Sequence, residues 1–380
     1  MPINSTTLTP QNYSALLYDI VKQFEEAGHE NPNVYLDTEN IPTMGVGFNL
    51  EVTSNVEYVL EHGFGIDPTD TNFRAAVTAI TNVASTYTGG SSGLQAAFDT
   101  AFQTATGSTD TFVIVDSTGQ TANEKIRIIF NNVSQARETL LDGRLSAAGI
   151  TGLMQSDMSN ERLALMSLEY NNGNTLITNE LLGHLSSGDR TAAWFYIRYN
   201  LNGNPRSISN RRYVESAVFG LFNGGAPTDV EAASIVDYLT NATNLATMQS
   251  DEIDYPSSLA ASNWNFDGAT LALVQNKISI TKTLLPMSGY LMGRYIQDPE
   301  IAASVAGTNF SNVVLGLTGL DATRPDRIAV FQHRQAGVGK NDLLINVKNE
   351  EAILSGGHGN DVMIGNAQSD TMYGLEDNDI

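Results

Sequence analysis

The sequence predicts an α+β chain, and three observations carry that expectation. Residues 10–26 bear apolar side chains at helical spacing, residues 34–50 alternate short β-prone runs with Asn and Gly, and residues 354–379 repeat with a period of nine. The first two lie close enough to build one small mixed α/β unit. The third is a separate, repeat-built tail.

The first helix follows from its residues. Thr9 suits the N-cap, and Pro10 suits the first helical position, where a missing N–H costs nothing. Leu16, Leu17, Ile20, Val21 and Phe24 then form one apolar stripe. Glu25 extends the stripe one turn beyond Val21, whereas Glu26 is expected about 100° further round, toward solvent. A half-buried carboxyl has its pKa raised by desolvation, as a general acid requires, so phase favours Glu25 over Glu26.

Downstream, Val34-Tyr35-Leu36, the turn Asp37-Thr38-Glu39-Asn40 and the run Pro42 to Leu50 read as a hairpin or small meander. Gly45 and Gly47 permit backbone that a Cβ forbids. Asp37 and Thr43 flank the turn. Taken alone, they are ordinary turn formers. Taken with a carboxylate at the preceding helix end, they complete two acids and a hydroxyl, the equipment of a glycosidase that cleaves with a held water.

Residues 51–120 read as a Thr/Ser/Gly-rich insertion with helical stretches near 73–83 and 94–102. Thr121-x-x-Glu124 is a capping box, and the helix beyond it is expected to bury Ile126, Ile129, Phe130, Val133, Leu140 and Leu141. Ser159-Asn160-Glu161 caps another helix, apolar at Leu163, Met166, Leu168 and Tyr170, that breaks at Asn172-Gly173. Helices around 178–185 and 192–194 follow, then Ser209-Asn210-Arg211-Arg212-Tyr213-Val214-Glu215 and a helix to Phe219.

Asp37-x5-Thr43 followed by Gly45-x-Gly47, behind a helix-terminal Glu, resembles the phage-type lysozymes in residue type and spacing. The helical block 159–219 is similar to the C-terminal lobe of the same family. The resemblance implies a lysozyme-like two-lobe domain over 1–225, a β-hairpin lobe and a helical lobe, with catalytic Glu25, Asp37 and Thr43. It also implies supporting roles for Arg211, against the catalytic Glu, and for Asn171 or Asn172, facing the hairpin. The pattern departs in one place. The family has Gly directly after its Glu and a shorter stretch to its Asp, whereas this chain has Glu25-Glu26-Ala27-Gly28 and a longer run. Glu26 therefore stays open as the acid or as a supporting residue.

Residues 226–350 are expected to be a mostly helical accessory or spacer region. Pro227-Thr228-Asp229 opens a helix, Leu271 to Tyr295 is apolar-periodic, Val313-Val314-Leu315 and Ile328–Phe331 are strands or short helices, and Trp264 and Phe266 are core or sugar-binding aromatics. In the tail, 351–380, Gly356, Gly365 and Gly374 share a nine-residue spacing with Asp361, Asp370 and Asp379 and with Leu354, Met363 and Met372. Residues 356–364, GGHGNDVMI, fit G-G-x-G-x-D-x-U-x throughout. This resembles the parallel β-roll repeat of RTX proteins, which implies structural Ca²⁺. Its ligands would be Asp361, Asp370 and Asp379, with backbone carbonyls of Gly357 and Gly359. The chain stops in mid-repeat, so the native protein is expected to continue past Ile380.

Composition bounds the function. A formal charge of −22 argues against nucleic acid, whose affinity rests on Lys and Arg. Absent cysteines leave neither disulfides nor thiolate metal sites, and His29, His62, His184, His333 and His358 show no metal-ligand spacing. No membrane span or N-terminal signal peptide is evident. The expectation is a bacteriolytic muramidase secreted by the type I machinery, which cleaves the β-1,4 MurNAc–GlcNAc bond of peptidoglycan without a catalytic metal. An immunity protein is a candidate partner. The alternative is a calcium-dependent extracellular glycan-binding or matrix protein that keeps a non-catalytic lysozyme fold.

Overall fold

The structure is a computed structural model that describes residues 7–26, 28–200, 206–222, 227–240 and 264–275 and isolated positions between 243 and 286. In the C-terminal part it describes 312–313, 334–336, 342–345, 353–358, 361–365, 369–376 and 378–379. The chain is α+β, mainly helical, and its described residues form three small three-stranded sheets. No described helix is long and apolar enough to cross a membrane. Residue contacts divide the chain into two units: 7–177 with 261–271, and 1–6 with 178–260 and 272–380.

In the first unit, α1 (Pro10–Glu26) starts at its expected cap, where Thr9 Oγ1 accepts from Asn12 N at 3.2 Å. Tyr13, Leu16, Leu17, Ile20 and Val21 are buried along one face. β1 (Asn31–Leu36), β2 (Pro42–Gly45) and β3 (Phe48–Asn49) form an antiparallel meander that sets Tyr35 opposite Thr43 and Met44 opposite Phe48. The β2–β3 turn has φ of +69° at Gly45 and +84° at Gly47, a region that favours glycine.

The stretch 51–120 is more helical than its composition indicates. α2 (Thr53–Tyr58) runs into a π-helical turn (Val59–Gly63), and α3 (Thr71–Thr86) packs on α4 (Ser91–Thr106). Gln95 on α4 ties this layer to the sheet by accepting from Val34 N at 3.1 Å and donating to Phe112 O at 3.0 Å. Phe64, Phe98, Phe102 and Phe112 close its core with ring contacts between 4.9 and 5.8 Å.

α5 (Ala122–Ala147) opens on the capping box, with Glu124 N to Thr121 Oγ1 at 3.2 Å and Thr121 N to Glu124 Oε2 at 2.7 Å. One expected core residue is corrected. Leu140 is 49% exposed, because the buried phase runs through Val133, Glu138, Leu141 and Leu145. α6 (Asn160–Leu176) is buried on every side from Asn160 to Tyr170 and carries Glu161, Arg162, Ser167 and Glu169 inside. A helix buried all round must pair its charges. Arg162 donates to Asp142 Oδ1 at 2.7 Å and pairs with Glu138, which also accepts from the Tyr13 hydroxyl at 2.7 Å.

The first unit also includes a remote strip. Asn265 N donates to Gln23 Oε1 at 2.7 Å and Asp267 N to Asp19 Oδ2 at 2.9 Å. Phe266 meets Phe24 edge-on at 6.3 Å and Trp264 at 5.4 Å, so this aromatic pair packs against α1.

The second unit contains α7 (Asn179–Ser187), α8 (Arg190–Phe195) with a π-helical turn (Tyr196–Asn200), α9 (Arg206–Phe219) and α10 (Asp229–Thr240). Thr178 and Asp189 cap α7 and α8, and Arg190 donates to the Phe219 and Gly220 carbonyls at 3.1 and 3.0 Å, closing the end of α9. Buried Arg198 lies over the rings of Trp194 and Tyr213 at 5.1 and 3.8 Å. A further helix, α11 (Gly268–Val274), leads on from the strip.

Six short strands follow: β4 (Asn312–Val313), β5 (Arg334–Ala336), β6 (Asp342–Ile345), β7 (Ile353–Gly357), β8 (Val362–Ile364) and β9 (Thr371–Leu375). Among the described residues they pair in parallel, in the orders β4-β6-β8 and β5-β7-β9, so successive described strands alternate between two sheets. Leu354 stands beside Met372 and Ser355 beside Tyr373, two nine-residue periods along the chain. Leu344 and Leu354 are fully buried with Met363 packed against them. The expected elements at 314–315 and 328–331, and most of 271–295, lie outside the described residues.

Candidate active site

The end of α1 and the meander bring the first set of expected residues together. Glu25 lies against the β2–β3 turn. A Cβ added to Gly47 would meet Glu25 Cβ and Cγ at 3.2 Å and Oε2 at 3.3 Å. Only a glycine lets the backbone approach that carboxyl so closely. From the other side, the Tyr170 hydroxyl on α6 donates to Val46 O at 3.3 Å, which anchors the same turn. The ring chain Tyr18–Phe130–Tyr170, at 5.1 and 5.6 Å, links α1, α5 and α6 behind it.

Glu26 departs from its expected position. It is half-buried, hydrogen-bonded to the Tyr35 phenol on β1, and held above the usual carboxylate range chiefly by burial, with the charge of neighbouring Glu25 adding to the effect. Helix phase alone places it toward solvent, but β1 returns past the end of α1 and covers it. Tyr35 is the residue that sequence reasoning missed. Its phenol is pushed far above its ordinary value by burial and by Glu26, and it also bonds Thr43. The signal was present in the alternation of β1, which puts residue 35 opposite residue 43.

Asp37 and Thr43 sit at the two ends of the β1–β2 turn. Asp37 Oδ1 accepts from Glu39 N at 2.9 Å and Ile41 N at 2.8 Å, so that oxygen builds the turn, as the bland reading of an Asp beside Asn supposes. Oδ2 makes neither bond. Thr43 is 3% exposed and its Oγ1 lies 3.1 Å from Ile41 O and 3.4 Å from Tyr35 O. Its hydroxyl is thus oriented by the sheet and set deeper than a surface turn residue.

Asn171 and Asn172 are exposed near the end of α6, where Asn172 leaves helical geometry at φ −165°, ψ 71°. Beside this kink, Glu169 is completely buried, packs over Gly173 and accepts from Arg144 Nε at 3.0 Å, and Arg144 also reaches Asn174 Oδ1. Arg211 belongs to the second unit, on α9. It is buried there and donates to Glu215 Oε1 at 3.1 Å, a carboxylate shared with Arg212. Burial holds the Arg212 guanidinium below its ordinary value, opposed by Glu215.

In the tail the described glycine–aspartate pairs repeat one geometry. Gly356, Gly365 and Gly374 each face, at the place a Cβ would occupy, the carboxylate of Asp361, Asp370 and Asp379 respectively. Asp361 is fully buried, and its N donates to Asp379 Oδ1 at 2.9 Å, one coil on. Gly357 has φ +97°, and its carbonyl accepts from Glu376 N at 3.1 Å, leaving one lone pair. Among the described residues no three or more His, Cys, Asp or Glu side chains form a metal cage. Carboxylates supplemented by turn carbonyls are the hard oxygen set that suits Ca²⁺, and a buried Asp361 carboxylate fits a cation. Gly359 lies outside the described residues.

Compared with models of known families, with curated proteins and with solved structures, the chain matches none.

Proposed function

We propose that the first unit is a glycoside hydrolase that cleaves peptidoglycan strands at the MurNAc–GlcNAc bond, working in a lysozyme-like two-lobe fold. The observation that carries this reading is the apposition of the Glu25 carboxyl to the glycine turn of a meander whose preceding turn and strand bear Asp37 and Thr43. Glu25 protonates the leaving oxygen. Asp37 Oδ2 and the Thr43 hydroxyl orient a water on the opposite face of the sugar, which gives inversion. Arg211 and Asn171 or Asn172 support the acid and the glycan. No catalytic metal enters the scheme. The tail is an RTX-type β-roll in which Asp361, Asp370 and Asp379, with the Gly357 and Gly359 carbonyls, hold structural Ca²⁺. Secretion by the type I route, and an immunity protein as partner, accompany that reading.

A specific observation favours a second assignment of the acid. Glu26 has its carboxyl raised by burial, the property a general acid needs near neutral pH. Peptidoglycan zymography, with product reducing ends identified by mass spectrometry, tests both. Glu25→Gln abolishing lysis while Glu26→Gln retains it supports the first assignment. The reverse selects Glu26. Lysis undiminished in both, or no MurNAc reducing ends from the unaltered protein, sinks the muramidase reading.

A further inference from the structure

Two adjacent carboxylates at one helix end cannot point the same way, since successive residues differ by about 100° around the axis. Here the divergence is used on both sides of the meander. Glu25 lies against the Gly47 turn, while Glu26 reaches the phenol of Tyr35 on β1. Tyr35 is the cross-strand partner of Thr43, and its phenol bonds the side chains of both Glu26 and Thr43. Its main-chain carbonyl also lies 3.4 Å from Thr43 Oγ1. A single residue thus touches the acidic helix end and the hydroxyl expected to hold water.

We propose that Tyr35 is a positioning residue, a brace that fixes the spacing between the Glu25–Glu26 end of α1 and the Thr43 hydroxyl, with Glu26 as its anchor. The inference rests on the muramidase reading of residues 25–47 and adds Tyr35 to it. Burial and the nearby carboxylates keep the phenol protonated at every physiological pH, so it is a permanent donor. A permanent donor to half-buried Glu26, on a phenol that also meets buried Thr43, sets distance and orientation without exchanging protons. Displacement of a reacting group by about 1 Å costs up to about 100-fold in rate, so such a brace acts on kcat rather than on substrate affinity.

The test measures kcat and KM on soluble peptidoglycan fragments, from pH 4 to 8, for the whole chain and for Tyr35→Phe, Glu26→Gln, Glu26→Ala and the Tyr35→Phe/Glu26→Ala double variant. Tyr35→Phe is expected to lower kcat about tenfold with KM within about twofold. Glu26→Gln keeps an acceptor for the phenol and is expected to lose less kcat than Glu26→Ala. Glu26→Ala should match Tyr35→Phe, and the double variant should be no worse than either, because both remove the same brace. Carboxyl NMR provides a second readout. Without the phenol's hydrogen bond, which favours the charged form, Glu26 should titrate higher in Tyr35→Phe, with Glu25 and His29 as its remaining charged neighbours. Wild-type kcat in Tyr35→Phe, or multiplicative losses in the double variant, would overturn the brace. A dead Glu26→Gln would also overturn it, by making Glu26 the acid itself. Absence of lysis by the unaltered chain would instead be the failure of the underlying reading.

Discussion

At the scale of single residues, Gly47 carries the sharpest constraint. It adopts φ +84°, and a methyl group there would press on the Glu25 side chain at 3.2 Å. Gly47→Ala should therefore lower stability by about 1 kcal/mol or more from backbone strain and displace the Glu25 carboxyl. The expected outcome is a larger loss of lytic rate than of stability, read by urea unfolding and zymography on the same variant. Asp37→Asn should impair lysis severely if Oδ2 works on water, while its Oδ1 continues to build the turn. Wild-type lysis in that variant would reduce Asp37 to a turn former. Thr9, Gly45, Gly47 and the order Asp37–Thr43 were legible in the chain because caps and positive-φ turns are local properties. The covering of Glu26 was not. It depends on β1, whose path back past the helix end is a tertiary fact that no helical wheel contains.

Elements show the same division between local and distant causes. The capping box at Thr121 and the Ser159 cap were readable, since each joins residues three apart. Leu140 misled because α5 buries Glu138, a charge, in the phase where an apolar residue is expected. The reason is Arg162 on α6, which needs that carboxylate. Glu138→Ala should take from Arg162 its buried carboxylate, leaving partly exposed Asp142 as its charged partner, and cost up to about 3–5 kcal/mol, whereas replacing both by apolar residues of similar volume should recover much of it. Chemical denaturation of the single and double variants decides between those outcomes. Glu169 makes α6 sensitive to pH. Burial raises its carboxyl above the ordinary 4.5, against the opposing charges of Arg144 and Arg137. The native state therefore keeps a proton that the unfolded chain releases. The associated stability is full below about 4.5 and is lost as pH rises through the native value. Glu169→Gln should flatten the fall of stability with pH over that window, as measured by thermal unfolding at a series of pH values.

Across the whole molecule, the tail and the first unit are expected to respond independently to calcium. On the proposed calcium reading, clustered carboxylates repel one another until a cation offsets their charge, so binding and coiling would be coupled. EDTA should release the amides of Leu354 and Met372 to hydrogen exchange while lysis stays near its starting rate. Loss of lysis with EDTA in a chain ending before Leu354 would place a metal outside the tail instead. The nine-residue period was legible in the sequence, and β7 and β9 stand in register at twice that period. The strip at Trp264–Asp267 had no such record. It joins α1 through Asn265 and Gln23, a pair 242 positions apart, and no pattern in either segment names the other.

That strip has a consequence for how the protein can be taken apart and how it assembles. Because the chain returns to α1 after leaving it, no single cut yields an intact first unit. A fragment ending at residue 225 would bare Phe24 and leave Gln23 and Asp19 without the backbone amides that now meet them. It should unfold at lower urea than a fragment carried through residue 275. In assembly, closure of so large a loop has an entropic cost that grows with its length, and only a few contacts reward it. The strip should be among the last pieces to dock on the first unit and the first to lift away, so a protease would find that unit's opening move there, far along the chain from the residues it exposes.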